Sequence, residues 1–158
     1  MHALVTSRLD YANSMLINIP ACHLQKLQLV QNTAARIITK TPKTAHMTPV
    51  LQSRHWLPIE QRIIYKVVLL TFKALHHMSP NYIEDMLVPY TPSRTLRSSH
   101  MGLLVIPSTR TKTYGTRAFS VAAPTLWNAL PSELKLCQSL PAFKTLLKTH
   151  LFREAYNV

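Results

Sequence analysis

Glycine is nearly absent from this chain: Gly102 and Gly115 are the only two in 158 residues. Folds built from many short strands draw on glycine for the positive-φ positions of their hairpins, so a turn-rich all-β architecture is argued against at the outset. The eleven prolines are spread along the chain instead, as if punctuating helices. With 47% hydrophobic residues the chain has enough apolar surface to fold. Its length suits one domain with a core and is too short for two ordinary ones. The expectation is a mainly α-helical small domain over 1–158, with a sub-boundary at the 88–101 loop.

Helical periodicity fills in the elements. His23 to Lys40 places Leu24, Leu27, Val30, Ala34, Ile37 and Ile38 at three- and four-residue spacing, with Gln25, Lys26, Asn32 and Arg36 mostly opposite. Thr48-Pro49 opens a short helix through Arg54, and Ser79-Pro80 opens another to about Leu87. Between them, Ile59 to His77 is apolar around most of its circumference, which predicts the central helix; Arg62, Lys66 and Lys73 share its one cationic stripe. After the Val88 loop, Leu103 to Ile106 is strand-like, and one short β-hairpin is expected over 103–114. Short helices around Pro124 and Pro131 follow. A final amphipathic helix from Ser139 to about Tyr156 has Leu140, Phe143, Leu146, Leu147 and Leu151 on one side.

Little here matches known catalytic chemistry. Polymerases and nucleases need convergent carboxylates to hold their metals. The only adjacent acids, Glu84 and Asp85, read as a solvated helix face, and no Asp-Asp pair follows a tyrosine. Eight histidines and Cys22 with Cys137 give no zinc spacing and no disulfide framework. A phosphate loop and a nucleophile elbow are also missing. No cofactor, no metal and no enzymatic activity are therefore expected. The N-terminus lacks a signal-peptide pattern, and Ile63 to Phe72, interrupted by Lys66, falls short of the roughly 20 residues a membrane span needs. The expectation is an intracellular protein, nuclear or cytoplasmic, neither secreted nor membrane-bound.

Charge is the strongest bulk signal. Eighteen Lys and Arg face six acids, for a formal net charge of +12. A surface of this kind attracts phosphate backbones without reading a sequence, although net charge alone also describes a merely basic protein. The first candidate interface is Arg94, Arg97, Arg110, Lys112 and Arg117, an acid-free run with Tyr114 inside it and Tyr90 beside it. The competing candidate is the Arg62, Lys66 and Lys73 stripe. Trp56 and Trp127, each just before a proline, read either as stacking surfaces for bases or, more often for such residues, as packing anchors.

The blocks SRLDYANSML, LQKLQLVQNTAARIIT, HMTPVLQSRHWLPIEQRI, YKVVLLTFKALHHMSPNYIEDMLVPYTPSRTLRSS, GLLVIPSTRTKTYGTRAFSVAAPTLWNALPSELK and FKTLLKTHLF follow one another in order from about Thr6 to Phe152. Together they resemble the C-terminal region, after the palm, of LINE-type non-LTR retrotransposon reverse transcriptases of the chicken-repeat-like clade. Ala12 stands where members of that family often have cysteine. The resemblance implies a thumb-like, non-catalytic segment that helps hold RNA or DNA beside a polymerase, with the palm and fingers as missing partners and Met1 an internal methionine of a truncated copy. No catalytic residue of the family carries over, because none of its catalytic motifs lies here. Two rivals stay open: a decayed transposon fragment with no selected function, and a domesticated protein-interaction domain using an apolar groove.

Overall fold

Proline sets where most of the helices start. The computed structural model describes residues 5–92 and 102–157. In it α1 (Ser7–Asp10) and a 3₁₀ turn (Asn13–Leu16) precede α2 (Ala21–Thr39), α3 (Thr48–Ser53), α4 (Ile59–Leu75) and α5 (Asn81–Glu84). After the 93–101 segment come α6 (Lys112–Gly115), α7 (Phe119–Ala129), α8 (Ser132–Lys135) and α9 (Leu140–Tyr156). Pro20, Pro58, Pro80 and Pro131 sit immediately before α2, α4, α5 and α8, while Pro49 and Pro141 lie in the first turns of α3 and α9. Each fixes φ where its missing N–H has no intrahelical partner to lose. Neither Thr48 nor Ser79 caps: Thr48 is itself helical, and the Ser79 hydroxyl is buried without a partner. Pro124, by contrast, lies inside α7, and the two short helices expected around Pro124 and Pro131 are α7 and α8.

The fold is mainly α-helical, as the glycine shortage and periodicity require. α4 is its axis. Ile59, Ile63, Val67, Val68, Thr71, Phe72 and Ala74 are all buried on it, which needs neighbours on several sides. α7, α9, α2 and the 3₁₀ turn supply them. One hydrophobic core takes Ile17, Val68 and Phe72 together with Leu104, Trp127, Phe143 and Leu151, so residues from both sides of the expected 88–101 sub-boundary share it. A smaller cluster of Ala35, Met47 and Leu51 lies at the far end of α2, against Trp56 and Tyr156.

Two expected faces and one hairpin come out differently. On α2, Gln31, Ala34 and Ala35 are buried, whereas Val30 is 50% and Ile37 70% exposed. On α9, Phe143, Leu147 and Leu151 face inward and Leu146 does not. The expected 103–114 hairpin does not form: Leu104 bridges back to Pro89, with Tyr90 N–H donating to Leu103 O and Val105 N–H to Val88 O, both at 2.8 Å. The following segment turns into α6 instead. A two-residue turn there would need residues suited to positive φ, and Pro107, Ser108 and Thr109 are not.

The C-terminus is tied back to the middle of the chain. Tyr156 Oη donates to the Trp56 carbonyl, and burial pushes its pKa up to about 12. The folded value lies above the unfolded one of roughly 10. The resulting stabilisation is thus fully present below about pH 10 and disappears as pH rises from there to about 12. An alkaline titration followed by circular dichroism and tyrosinate absorbance is expected to show stability falling in that window. Tyr156→Phe should remove much of that slope; an unchanged slope would place the alkaline sensitivity elsewhere.

Candidate nucleic-acid interface

The segment favoured by sequence is only partly described. Arg94 and Arg97 lie outside the described residues. Arg110 is exposed just before α6, and Lys112 is the first residue of that helix. The turn is held from within, because Thr111 Oγ1 accepts the Gly115 N–H at 3.0 Å. A side chain at position 115 would meet Thr109 Cβ at 2.6 Å, which is why glycine stands there. It is held from outside by Asn18 Nδ2, which donates to the Thr116 carbonyl at 2.8 Å.

That anchoring brings Tyr114 and Arg117 to one cleft of about 440 Å³ with Ser14, Met15 and Phe119. Tyr114 is 75% exposed, so its ring is available as a stacking face. Arg117 is half-buried, and its Nη2 donates to the Met15 carbonyl at 3.4 Å. Of the first candidate set, then, Arg110 and Tyr114 stand in solvent while Arg117 also does structural work. Tyr90 is 44% exposed and belongs to the bridge with Leu103 rather than to α6.

The rival stripe on α4 divides. Arg62 closes on Asp10 through two bonds: Nε donates to Oδ1 at 2.8 Å, and Nη2 donates to Oδ2. The pair is partly shielded and sews α1 to α4, so the Arg62 charge is already matched. Lys66 is exposed and stands over a cavity of about 390 Å³, whose walls include Arg62, Trp56, Tyr65 and Lys148. Lys73 lies farther along α4 and does not line this cavity. Sequence reasoning missed Lys148: it sits on α9, and only the packing of α9 against α4 brings it beside Lys66. Burial pushes the Tyr65 phenol above its ordinary pKa.

The remaining candidates resolve singly. Trp127 is 2% exposed and its Nε1 donates to the Gly102 carbonyl at 2.9 Å, which makes it a packing anchor. Trp56 is half-buried in the wall just described. Glu84 Oε2 sits 2.8 Å from His77 Nδ1, and Asp85 is exposed. Among the described residues no group of three His, Cys, Asp or Glu converges as a metal site would require, and no helix is long and apolar enough to cross a membrane. Among the described side chains Arg62 is the only lysine or arginine in an ion pair. No protein-family model, curated protein or solved structure matches this chain.

Proposed function

We propose that the chain binds the phosphate backbone of RNA or DNA without reading sequence, as an accessory, thumb-like and non-catalytic segment of a LINE-type reverse transcriptase. The observation that carries this reading is the lack of internal neutralisation. A net charge of +12 rests on a surface where, among the described side chains, one arginine alone has a carboxylate partner. Cations left without acids are the groups that release counterions from a polyanion. Tyr114 beside Arg110 and Lys112 supports single strands over duplex, since an exposed ring needs an unpaired base to stack on. The ordered resemblance over residues 6–152 supports the same assignment.

The test neutralises Arg94, Arg97, Arg110 and Lys112 to glutamine. Arg117 stays in place because it holds the Met15 carbonyl. Affinity for unrelated single strands is expected to fall alike, and the log–log salt dependence to flatten by about 0.7 for each phosphate that is no longer neutralised. A Lys66→Gln, Lys148→Gln variant tests the α4–α9 cavity, leaving the Asp10–Arg62 pair intact. If only the second variant loses affinity, the interface lies at the cavity. Wild-type affinity and slope in both would end the binding reading. In parallel, primer extension by the purified chain with Mg²⁺ or Mn²⁺ is expected to give no product, and steady incorporation would overturn the non-catalytic assignment.

A further inference from the structure

The loop between α2 and α3 looks at first like a simple helix stop, yet it builds a second basic site on the molecule. The turn from Pro42 is closed by the Ala45 N–H donating to the Pro42 carbonyl at 3.1 Å. It is strapped to α2 by Arg36 Nη2, which donates to the Ala45 carbonyl at 3.3 Å. This strap fixes Lys43 and His46, on either side of it, against a cleft of about 520 Å³ that Arg36, Asn32, Thr44 and Thr48 also line. No aspartate or glutamate is among its lining residues.

The chemistry of that lining is one-sided. Gln28 Nε2 already occupies Asn32 Oδ1 at 2.9 Å, which leaves Asn32 its amide N–H groups to offer. Lysine and arginine donate only, the threonine hydroxyls donate readily, and the histidine ring carries an N–H donor. Arg36 is half-buried with its Nε lacking any partner and no carboxylate paired to it. A guanidinium N–H held out of solvent without a partner is costly, and an anion brought into the cleft would offset that cost.

We propose that this cleft is a binding site for a phosphate ester, with Arg36 and Lys43 as its charged donors and the His46 ring N–H beside them. A fork-shaped guanidinium and a mobile ammonium on one anion form the charge-assisted pattern that phosphate oxygens accept best. The volume exceeds a bare phosphate and leaves room for the sugar or base attached to it. The site is separate from Tyr114, Arg117 and Lys66, and it does not rest on strand binding by those residues.

Titration of the full chain with inorganic phosphate, followed by calorimetry and phosphorus NMR, tests the site without any strand present. Saturable binding is expected, and Lys43→Gln with His46→Gln should weaken it about tenfold or more. Both side chains are exposed, so that variant keeps the fold; Arg36→Lys, which keeps the charge but loses the fork, is expected to weaken binding as well. Absence of saturable binding, or a Lys43→Gln, His46→Gln variant that titrates like wild type, overturns the proposal. A 5′-phosphorylated oligonucleotide compared with its 5′-hydroxyl twin then identifies the source. A preference for the phosphorylated strand that the variant abolishes assigns the cleft to strand ends. Equal affinity for the two, with phosphate binding retained, assigns it to free phosphate esters.

Discussion

Replacing Phe143 by alanine is expected to cost about 3–5 kcal/mol, the range for deleting a fully buried aromatic ring. Phe143 is 0% exposed and lies where α9 meets α4. Its ring stacks on Phe72 at a centroid distance of 4.0 Å and an interplanar angle of 19°, with Trp127 of α7 at 6.1 Å. One side chain therefore joins the last helix to the two that enclose the core. Paired rings add about 0.5–1.5 kcal/mol beyond the area they bury. Leu147 and Leu151 continue the same stripe but cannot refill the space, because each is already fully packed in its own turn. Against a total stability of about 5–15 kcal/mol for a domain, the loss approaches the whole margin at the low end. Urea unfolding of the variant measures it, with Leu146→Ala on the exposed side of α9 as control. Expected there is a change within about 1 kcal/mol. If Phe143→Ala cost no more than that control, α9 would not be docked on α4 as described.

The contrast between those two neighbours indicates what the sequence makes legible. A helix announces its period and its start: Pro49 and Pro80 at the openings of α3 and α5 and the apolar wrap of α4 are readable because they are local. Which way a helix faces is settled by partners far along the chain. α2 carries apolar residues around much of its circumference, and periodicity alone selects the stripe through Val30 and Ile37, which the fold leaves exposed. The strand-like Leu103 to Ile106 is readable as extended; its partner, Val88 to Tyr90, is not, since pairing across residues 91–102 leaves no turn signature of the two-residue kind. The candidate interface follows the same division. Arg110 and Tyr114 are close in sequence, and both stand in solvent. Arg62 reads in sequence as one cation of a stripe, although Asp10 neutralises it from 52 residues away, and Lys148 joins Lys66 only through helix packing.

The polar residue hidden on the inward face of α2 carries the other large expected effect. Gln31 is 3% exposed, and glutamine is rarely buried without a structural task. Its Nε2 donates to the Leu57 carbonyl at 2.9 Å, and its Oε1 accepts from Gln28 Nε2 at 3.0 Å. Gln28 Oε1 in turn accepts the Ile59 N–H at 3.0 Å. That last bond answers a need created by Pro58, which starts α4 but has no side-chain oxygen with which to cap it. α2 therefore caps the central helix from outside through two glutamines. Gln31→Ala strands the Leu57 carbonyl, removes one partner of Gln28 and opens a void against the core. With roughly 1–3 kcal/mol for each buried group left unpaired, the expected loss is about 2–4 kcal/mol. Gln25→Ala, on the exposed side of the same helix, is expected to change stability by less than about 0.5 kcal/mol. Gln31→Glu sharpens the test. At neutral pH its carboxylate would face the Leu57 carbonyl with no proton to donate, and burial raises the folded pKa of such a group above the unfolded value of roughly 4.3. Stability should be recovered below that unfolded value, where the protonated acid donates as glutamine does, and lost as pH rises through the folded pKa. Unfolding measured at acidic and neutral pH reads this directly. A Gln31→Glu profile parallel to that of wild type, with Gln31→Ala as harmless as Gln25→Ala, would show that the amide chain does not cap α4.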